Sequence, residues 1–443
     1  MKQARTWSKL DNAAKIFPPT STRRDTKVFR FSCELYEQVE PELLQRALEQ
    51  TLERFPLYRS ILKKGLFWYY LESSTLRPVV RREDRPPCGP LYSADRKTLL
   101  FEVTHYGRRI NLEVYHALSD GTGALHFLRT MVFDYLCLRH GIQGSEGAID
   151  YDAAPDQRGR DSFSKYYTRE PFPKMPKLQK AYHIRGERFS EYRIGVIEGR
   201  MSTAQVLALA RAKGVTLSEY LAAAVICAIH EGMTAQEAQL PVNLTVPVNL
   251  RRYFQSQSAR NFFSVINVGY NFSQGDSGFD PVLQAVRASF RDQLEPERLR
   301  DRMNRLGALE RNYAAKLIPL LLKNPVLKVA SRLAEREITA AFSNVGQINM
   351  PPEVADHIRL FDIICSTKRL QICLCSYGDN LMVSFTSPFI STAVQRTFFR
   401  FLARQGLEVE VAAALPGEQP GPTPPQQPPA GAVPVPPREE DAP

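Results

Sequence analysis

The sequence predicts an α/β protein in which a sandwich of strands and helices is used twice. Three observations lead there. Stretches of alternating apolar and polar residues, such as Arg109–Tyr115, recur beside stretches with apolar residues at helical spacing, such as Thr122–Leu136. The same mixture lies on both sides of Gly141–Lys174, a polar stretch rich in Asp, Gly, Pro and Ser that reads as a crossover linker. The apolar fraction, 43% of 443 residues, suits two domains or two halves of one large fold. No residue-level repeat relates the halves.

In the first half, Asp11–Pro18 precedes a strand predicted at Thr26–Leu35. Pro41–Arg54 is predicted as a helix because Leu44, Leu48, Leu52 and Phe55 form one stripe. Gly65–Leu71 is aromatic and strand-like. Lys97–Thr104 and Arg109–Tyr115 form a hairpin around Tyr106–Arg108, with Ile110, Leu112 and Val114 on one face. From Thr122 onward, Leu125, Leu128, Val132, Tyr135 and Leu136 recur at helical spacing, and Gly141 ends the run.

The second half opens near Glu187. Helices are predicted at Ser202–Lys213 and Ser218–Glu231, with Thr216 in the N-cap region of the latter. Pro241–Leu250 and Val265–Asn271 read as strands, and Pro281–Glu310 as one long charged helical region. Tyr313–Glu335 carries Leu322, Val326, Val329 and Leu333 on one face, and Pro319 and Pro325 must kink or divide it. The lysines Lys316, Lys323 and Lys328 flank Leu320–Leu322. This region reads first as a partly buried helix pair and second as a stripe at a membrane surface. Thr339–Ile348, Ile358–Ile364, Lys368–Ser376 and Leu381–Thr386 are strands, and Ser391–Gln405 is the last helix. From Pro416 proline dominates and aromatics vanish, which predicts a disordered tail.

The net charge of +11 raises nucleic acid as a partner. The lysines and arginines are scattered, however, and no nucleic-acid motif is present. A phosphate-bearing small molecule or an anionic membrane surface explains the charge equally well. The N-terminus lacks the continuous apolar run of a signal peptide, and no apolar cluster is long enough to span a bilayer. Seven cysteines form no C-x-x-C pair, and most sit in apolar segments as small core residues. A reducing cytosol is the expected compartment, with contact at the inner face of the membrane as an addition to it.

Between the Arg109–Tyr115 strand and the helix from Thr122 lie His116, Asp120 and Gly121, an H-x-x-x-D-G hexad. Taken alone, such a hexad is more often a turn in which the aspartate caps the helix and the histidine is merely exposed. A loop held between a rigid strand and a rigid helix also suits a general base, because both neighbours fix where the imidazole points. The remaining histidines, His105, His126, His140, His183, His230 and His357, are expected to be isolated, and no metal site is expected.

Several stretches together resemble the acyl-CoA-dependent acyltransferase superfamily. Its members include chloramphenicol acetyltransferase, condensation domains of peptide synthetases and bacterial alcohol acetyltransferases, and the last look most similar. The stretches are LDNAAKIFP, YHALSDG, GVTLSEYLAAAV, VPVNLRRYF with NFFSV, and FSNVGQINMP, in that order, and the resemblance runs to about Val411. It implies two chloramphenicol-acetyltransferase-like subdomains, here 1–174 and 175–414, followed by a tail at 415–443, with an active-site tunnel between the subdomains. It implies that His116 is the catalytic base, with Tyr115 in place of the first histidine of the family's pair. Asp120 becomes a structural carboxylate turned from the substrate, with Arg251 as its partner. Gly121 would allow a tight turn and keep space open near the reacting atoms. Ser343, Asn344 or a backbone N–H near Gly346 could bind the oxyanion.

The implied activity moves an acyl group, such as acetyl, from acyl-CoA to an alcohol hydroxyl or an amine. CoA is a co-substrate, and no permanently bound cofactor is implied. Two alternatives stand beside this reading. One is a condensation-type enzyme using a carrier-protein thioester; the other is a non-catalytic binding or scaffold protein of the same fold. A Ser-His-Asp hydrolase is disfavoured because the chain has no G-x-S-x-G elbow.

Overall fold

The computed structural model describes residues 7–11, 13–93, 95–143, 179–254, 261–311 and 317–414. Most of the predicted linker, the tail from 415 and Lys316 lie outside these residues. The strands are β1 (Trp7–Lys9), β2 (Val28–Leu35), β3 (Ser60–Lys64), β4 (Tyr69–Ser73), β5 (Arg81–Arg82), β6 (Phe101–Tyr106), β7 (Arg109–Tyr115) and β8 (Gly195–Ser202). They continue with β9 (Val242–Asn249), β10 (Phe263–Tyr270), β11 (Ala340–Gln347), β12 (Ile358–Cys365), β13 (Leu370–Tyr377), β14 (Asn380–Ser387) and β15 (Glu410–Ala414). The helices are α1 (Phe17–Thr20), α2 (Pro41–Arg54), α3 (Gly121–His140), α4 (Thr203–Ala212) and α5 (Leu217–His230), then α6 (Phe279–Gln293), α7 (Pro296–Arg311), α8 (Leu320–Glu335), α9 (Pro352–Ala355) and α10 (Ala393–Arg404).

Two large sheets carry the fold, in the orders β12-β2-β7-β6-β5 and β10-β9-β11-β13-β14-β8-β15; a small sheet, β1-β4-β3, stands beside the first. Helices α2 and α3 pack on the first large sheet. Helix α5 packs against α4, α6 and α10 over the second. The architecture is thus the α/β sandwich used twice. The halves are not separable at residue 174, because β12 comes from the second half and pairs antiparallel with β2 in the first sheet. Strand β13 alternates between the cores: Cys373 and Cys375 face the first, Ile372 and Leu374 the second. Arg109 on β7 bridges Glu34 at 2.8 Å and Glu198 of the second sheet at 3.0 Å.

Local chemistry explains where prediction and structure part. Gly65–Leu71 is not one strand: Gly65 N–H donates to the Trp68 carbonyl in a turn between β3 and β4. The long helix expected at Pro281–Glu310 breaks between Gln293 and Pro296, where proline cannot continue the preceding helix but suits the start of a new one. Pro325, by contrast, is accommodated inside α8. The edge strand β15 has no apolar alternation, and nothing in its sequence predicts it. Helix α5 starts with a full capping box: Thr216 Oγ1 accepts from Glu219 N–H, and Glu219 accepts from Thr216 N–H at 2.7 Å.

Candidate functional site

His116 follows the last residue of β7, and its backbone N–H donates to the Lys27 carbonyl at 2.9 Å. Its ring sits at the seam of the two halves. The Phe17 ring stacks on it at 4.9 Å, Phe29 lies at 4.5 Å, and Phe263 on β10 reaches it from the second half at 6.3 Å. The residue is half-buried. Nδ1 is enclosed and has no well-formed hydrogen bond. Burial among aromatic rings pushes the imidazole pKa down to about 4; Asp120 and the Ser119 backbone raise it, and Lys27 lowers it. The ring is therefore a neutral acceptor across the physiological range.

The loop that carries it is locked from the second half. Asp120 caps α3 by accepting from Gly123 N–H at 3.0 Å through Oδ1. Its Oδ2 accepts from Arg251 Nη1 at 2.7 Å and from Phe262 N–H at 2.9 Å. With all three bonds directed away from His116, the carboxylate acts as a brace, and the structure does bring Asp120 and Arg251 together. Asn249 Nδ2 donates to Thr122 Oγ1 at 3.1 Å, and Asn261 Nδ2 donates to the His116 carbonyl at 3.0 Å. Asn261 N–H in turn donates to Asp11 Oδ2 at 3.1 Å, and Asp11 Oδ1 accepts from Ala14 N–H. The sequence alone assigns no role to Asp11, Asn249 or Asn261, although LDNAAKIFP and NFFSV are among the stretches that carry the resemblance. Tyr115 contributes as well: its hydroxyl shares a 2.9 Å hydrogen bond with Ser21 Oγ, which anchors the end of α1 and thereby Phe17.

Gly121 departs from expectation. Its backbone is not left-handed, so the turn does not demand glycine; a Cβ there would meet nothing within 4 Å, so only the open space remains of the expected role. On β11, Phe342 and Ser343 point to opposite faces, with Phe342 in the second core. Asn344 Nδ2 donates to Ser218 Oγ at 2.8 Å at the start of α5, and Asn344 Oδ1 accepts from Gly346 N–H at 2.8 Å. The Gly346 N–H is thus committed and offers nothing to an oxyanion. Ser343 remains, on the face opposite that core. Gly346 itself sits at φ +91° beside a bulge in β11.

The histidines are not all isolated. His140, at the end of α3, stacks on His357 with centroids 3.8 Å apart, and Glu37 joins them so that one ligand atom from each lies within 4.8 Å of the others. Arg139 takes Glu37 at 2.9 Å.

A second feature lies at the same end of the first sheet as His116. Arg23, Arg24, Thr26, Arg188, Arg193 and Ser366, from both halves, line a recess. Among the described residues, Lys27, Cys88 and Tyr192, beside or within it, are the non-glycine ones with left-handed φ, at +59°, +58° and +61°. Such conformations cost about 1 kcal/mol or more each and gather at sites where the backbone is put to use. Arg23 pairs with Glu191 at 3.2 Å. Burial and then the facing charge of Arg24 push the Arg188 guanidinium down.

Comparison with known proteins agrees with this fold. The family described as phthiocerol/phthiodiolone dimycocerosyl transferase C-terminus matches residues 199–263, the segment that contributes Asn249, Arg251, Asn261 and Phe262 to the lock. Among solved structures, the trichothecene 15-O-acetyltransferase TRI3 from Fusarium sporotrichioides is similar at 12% identity, with a TM-score of 0.57 over 90% of this chain and 94% of that one. The polyketide synthase associated protein 5 from Mycobacterium tuberculosis is similar at 14% identity, TM-score 0.55, over 89% and 96%. The first condensation domain of the calcium-dependent antibiotic synthetase is similar at 18% identity, TM-score 0.56, over 86% and 92%. No curated protein sequence matches.

Proposed function

We infer from a chain with the fold of the CoA-dependent acyltransferase and condensation-domain superfamily that it is itself an acyltransferase, with His116 as the general base. The observation that carries this reading is the imidazole itself: uncharged, half-buried at the seam, and mounted on a loop braced by Asp120 and Arg251. In the proposed reaction a hydroxyl or amine of the acceptor attacks the thioester carbonyl while Nε2 takes its proton. The tetrahedral oxyanion is met by Ser343. Collapse breaks the C–S bond, and the imidazolium returns the proton to the leaving thiolate. A pKa of about 4 makes the free ring a weak base. The oxyanion forming beside it favours the imidazolium and raises that basicity when it is needed.

The donor proposed is an acyl-CoA. The arginine-lined recess supports this, since its cations come from both halves and suit phosphates. It would form the donor mouth of the tunnel that the family resemblance implies. A solved structure of F. sporotrichioides TRI101, 12% identical, holds coenzyme A and T-2, so a CoA donor and a small-molecule acceptor are in keeping with the fold. A carrier-protein thioester is the second reading, favoured by the equal likeness to condensation domains. The test is incubation of the purified protein with a panel of acyl-CoAs and alcohols or amines, with mass detection of the acyl products. A parallel arm supplies the acyl groups on a phosphopantetheinylated carrier. Product in the CoA arm supports the first reading and product in the carrier arm alone the second; none in either favours the scaffold.

A further inference from the structure

We propose that the protein docks on an anionic lipid surface through the outward face of α8. This helix is amphipathic, but with its sides reversed. Leu321, Leu322, Val326, Val329 and Leu333 are 52% to 73% exposed. Apart from Leu320, which is buried at its start, and half-buried Leu327, the side chains turned toward the protein are polar. Asn324 Nδ2 donates to the Tyr69 hydroxyl at 3.1 Å, and Lys323 lies 3.5 Å above the Trp68 ring centre while its Nζ donates to the Phe67 carbonyl. Ser331 donates to Glu335, which also holds Lys368. A surface helix of a globular protein normally buries its apolar stripe and wets its polar one. The expectation of a partly buried helix pair is therefore wrong for this face, which is open.

The apolar area extends past the helix. Leu317 precedes it at 73% exposure, and Leu66, at 67%, lies alongside, its carbonyl accepting from Leu320 N–H. A contiguous apolar area of this kind on a soluble fold marks a contact surface. Charge identifies what it contacts. Lys328, Arg332 and Arg336 are exposed on or just after α8, and its single acidic residue, Glu335, is already paired. A symmetric contact with a second copy would bring these cations toward one another, whereas an anionic lipid surface neutralises them. Among the described residues no single helix is long and apolar enough to cross a membrane, so the geometry points to a helix lying in the interface. Helix α8 packs on α1, whose Phe17 covers the His116 ring, so the docked face stands one short helix from the candidate base.

One of the chain's two tryptophans, Trp68, sits under Lys323 of this helix, which gives the test a built-in reporter. The full-length protein is titrated with phosphatidylglycerol–phosphatidylcholine vesicles and with phosphatidylcholine vesicles, at low and at high salt. Expected are co-sedimentation with the anionic vesicles, a blue shift of tryptophan emission on binding, and weakening by salt. The variant Leu322→Ser/Val326→Ser/Val329→Ser should bind at least tenfold more weakly with its melting temperature unchanged, because all three side chains are exposed. Lys328→Gln/Arg332→Gln should weaken binding to the anionic vesicles only. No binding at low salt overturns the proposal, as does equal binding by the triple variant. So does a dimer in light scattering that the triple variant converts to monomer. Binding is read without substrate, so failure here leaves the acyltransferase reading untouched.

Discussion

Substituting Asp120 by alanine tests whether this carboxylate is the brace of the loop. The side chain accepts three hydrogen bonds, from Gly123 N–H, Arg251 Nη1 and Phe262 N–H, and its ion pair with Arg251 is buried on both sides. Loss of the N-cap alone costs about 1 kcal/mol. Removing one partner of a buried ion pair costs about 3–5 kcal/mol, because the other charge is left uncompensated. The two losses overlap, so about 4 kcal/mol in all is expected. At about 2.1 cal/mol/K of unfolding entropy per residue, a chain of 443 residues shifts by about 1 °C per kcal/mol, so the melting temperature should fall by roughly 4 °C. The assay is thermal unfolding of Asp120→Ala, Arg251→Met and the double variant. The double variant should be less destabilised than the two single effects together, since it strands no charge. A drop of less than about 1 kcal/mol for Asp120→Ala, or strict additivity in the cycle, would refute the brace.

Other outcomes follow from the same geometry. Because burial holds the folded His116 near pKa 4 while an unfolded imidazole titrates near 6.5, the unfolded chain binds the extra proton first as pH falls. Stability should therefore decline from pH 6.5 toward 4 by up to about 3 kcal/mol, and His116→Asn should remove most of that dependence; equal pH curves for both proteins would contradict the neutral, half-buried ring. The same value predicts turnover that does not follow an ordinary imidazole titration between pH 5.5 and 8, instead of the rise through about 6.5 that an unperturbed histidine would give. Arg24→Ala and Arg188→Ala should raise KM for acyl-CoA about tenfold each and change kcat little, with initial rates as the check; an unchanged KM would remove the recess from the donor path.

How far the sequence could be read depended on the range of the interactions. The strand ending at Tyr115, the helix ended by Gly141 and the capped start at Thr216 follow from local spacing and capping, and all appear in the structure. The hexad and NLRR stretches, read through a family resemblance, placed Asp120 opposite Arg251. What stayed hidden was non-local. Nothing local says that β12 crosses into the first sheet, that Asn261 reaches the His116 carbonyl, or that His140 meets His357. The lowered pKa of His116 likewise needs Phe17, Phe29 and Phe263, which come from three separate segments. Helix α8 misled for a different reason. Its apolar stripe was legible, but periodicity alone does not say which side faces the protein.

The most direct test of the central claim is the rate of acyl transfer by His116→Ala, measured in single turnover with a donor and acceptor on which the native protein is active. Removing a positioned general base should slow the chemical step by about 10²–10⁴-fold. Donor affinity should be unchanged, and the melting temperature near pH 7 should not fall by more than the loss of one half-buried ring implies. Near-native single-turnover rates in a folded His116→Ala protein would contradict the assignment of His116 as the base.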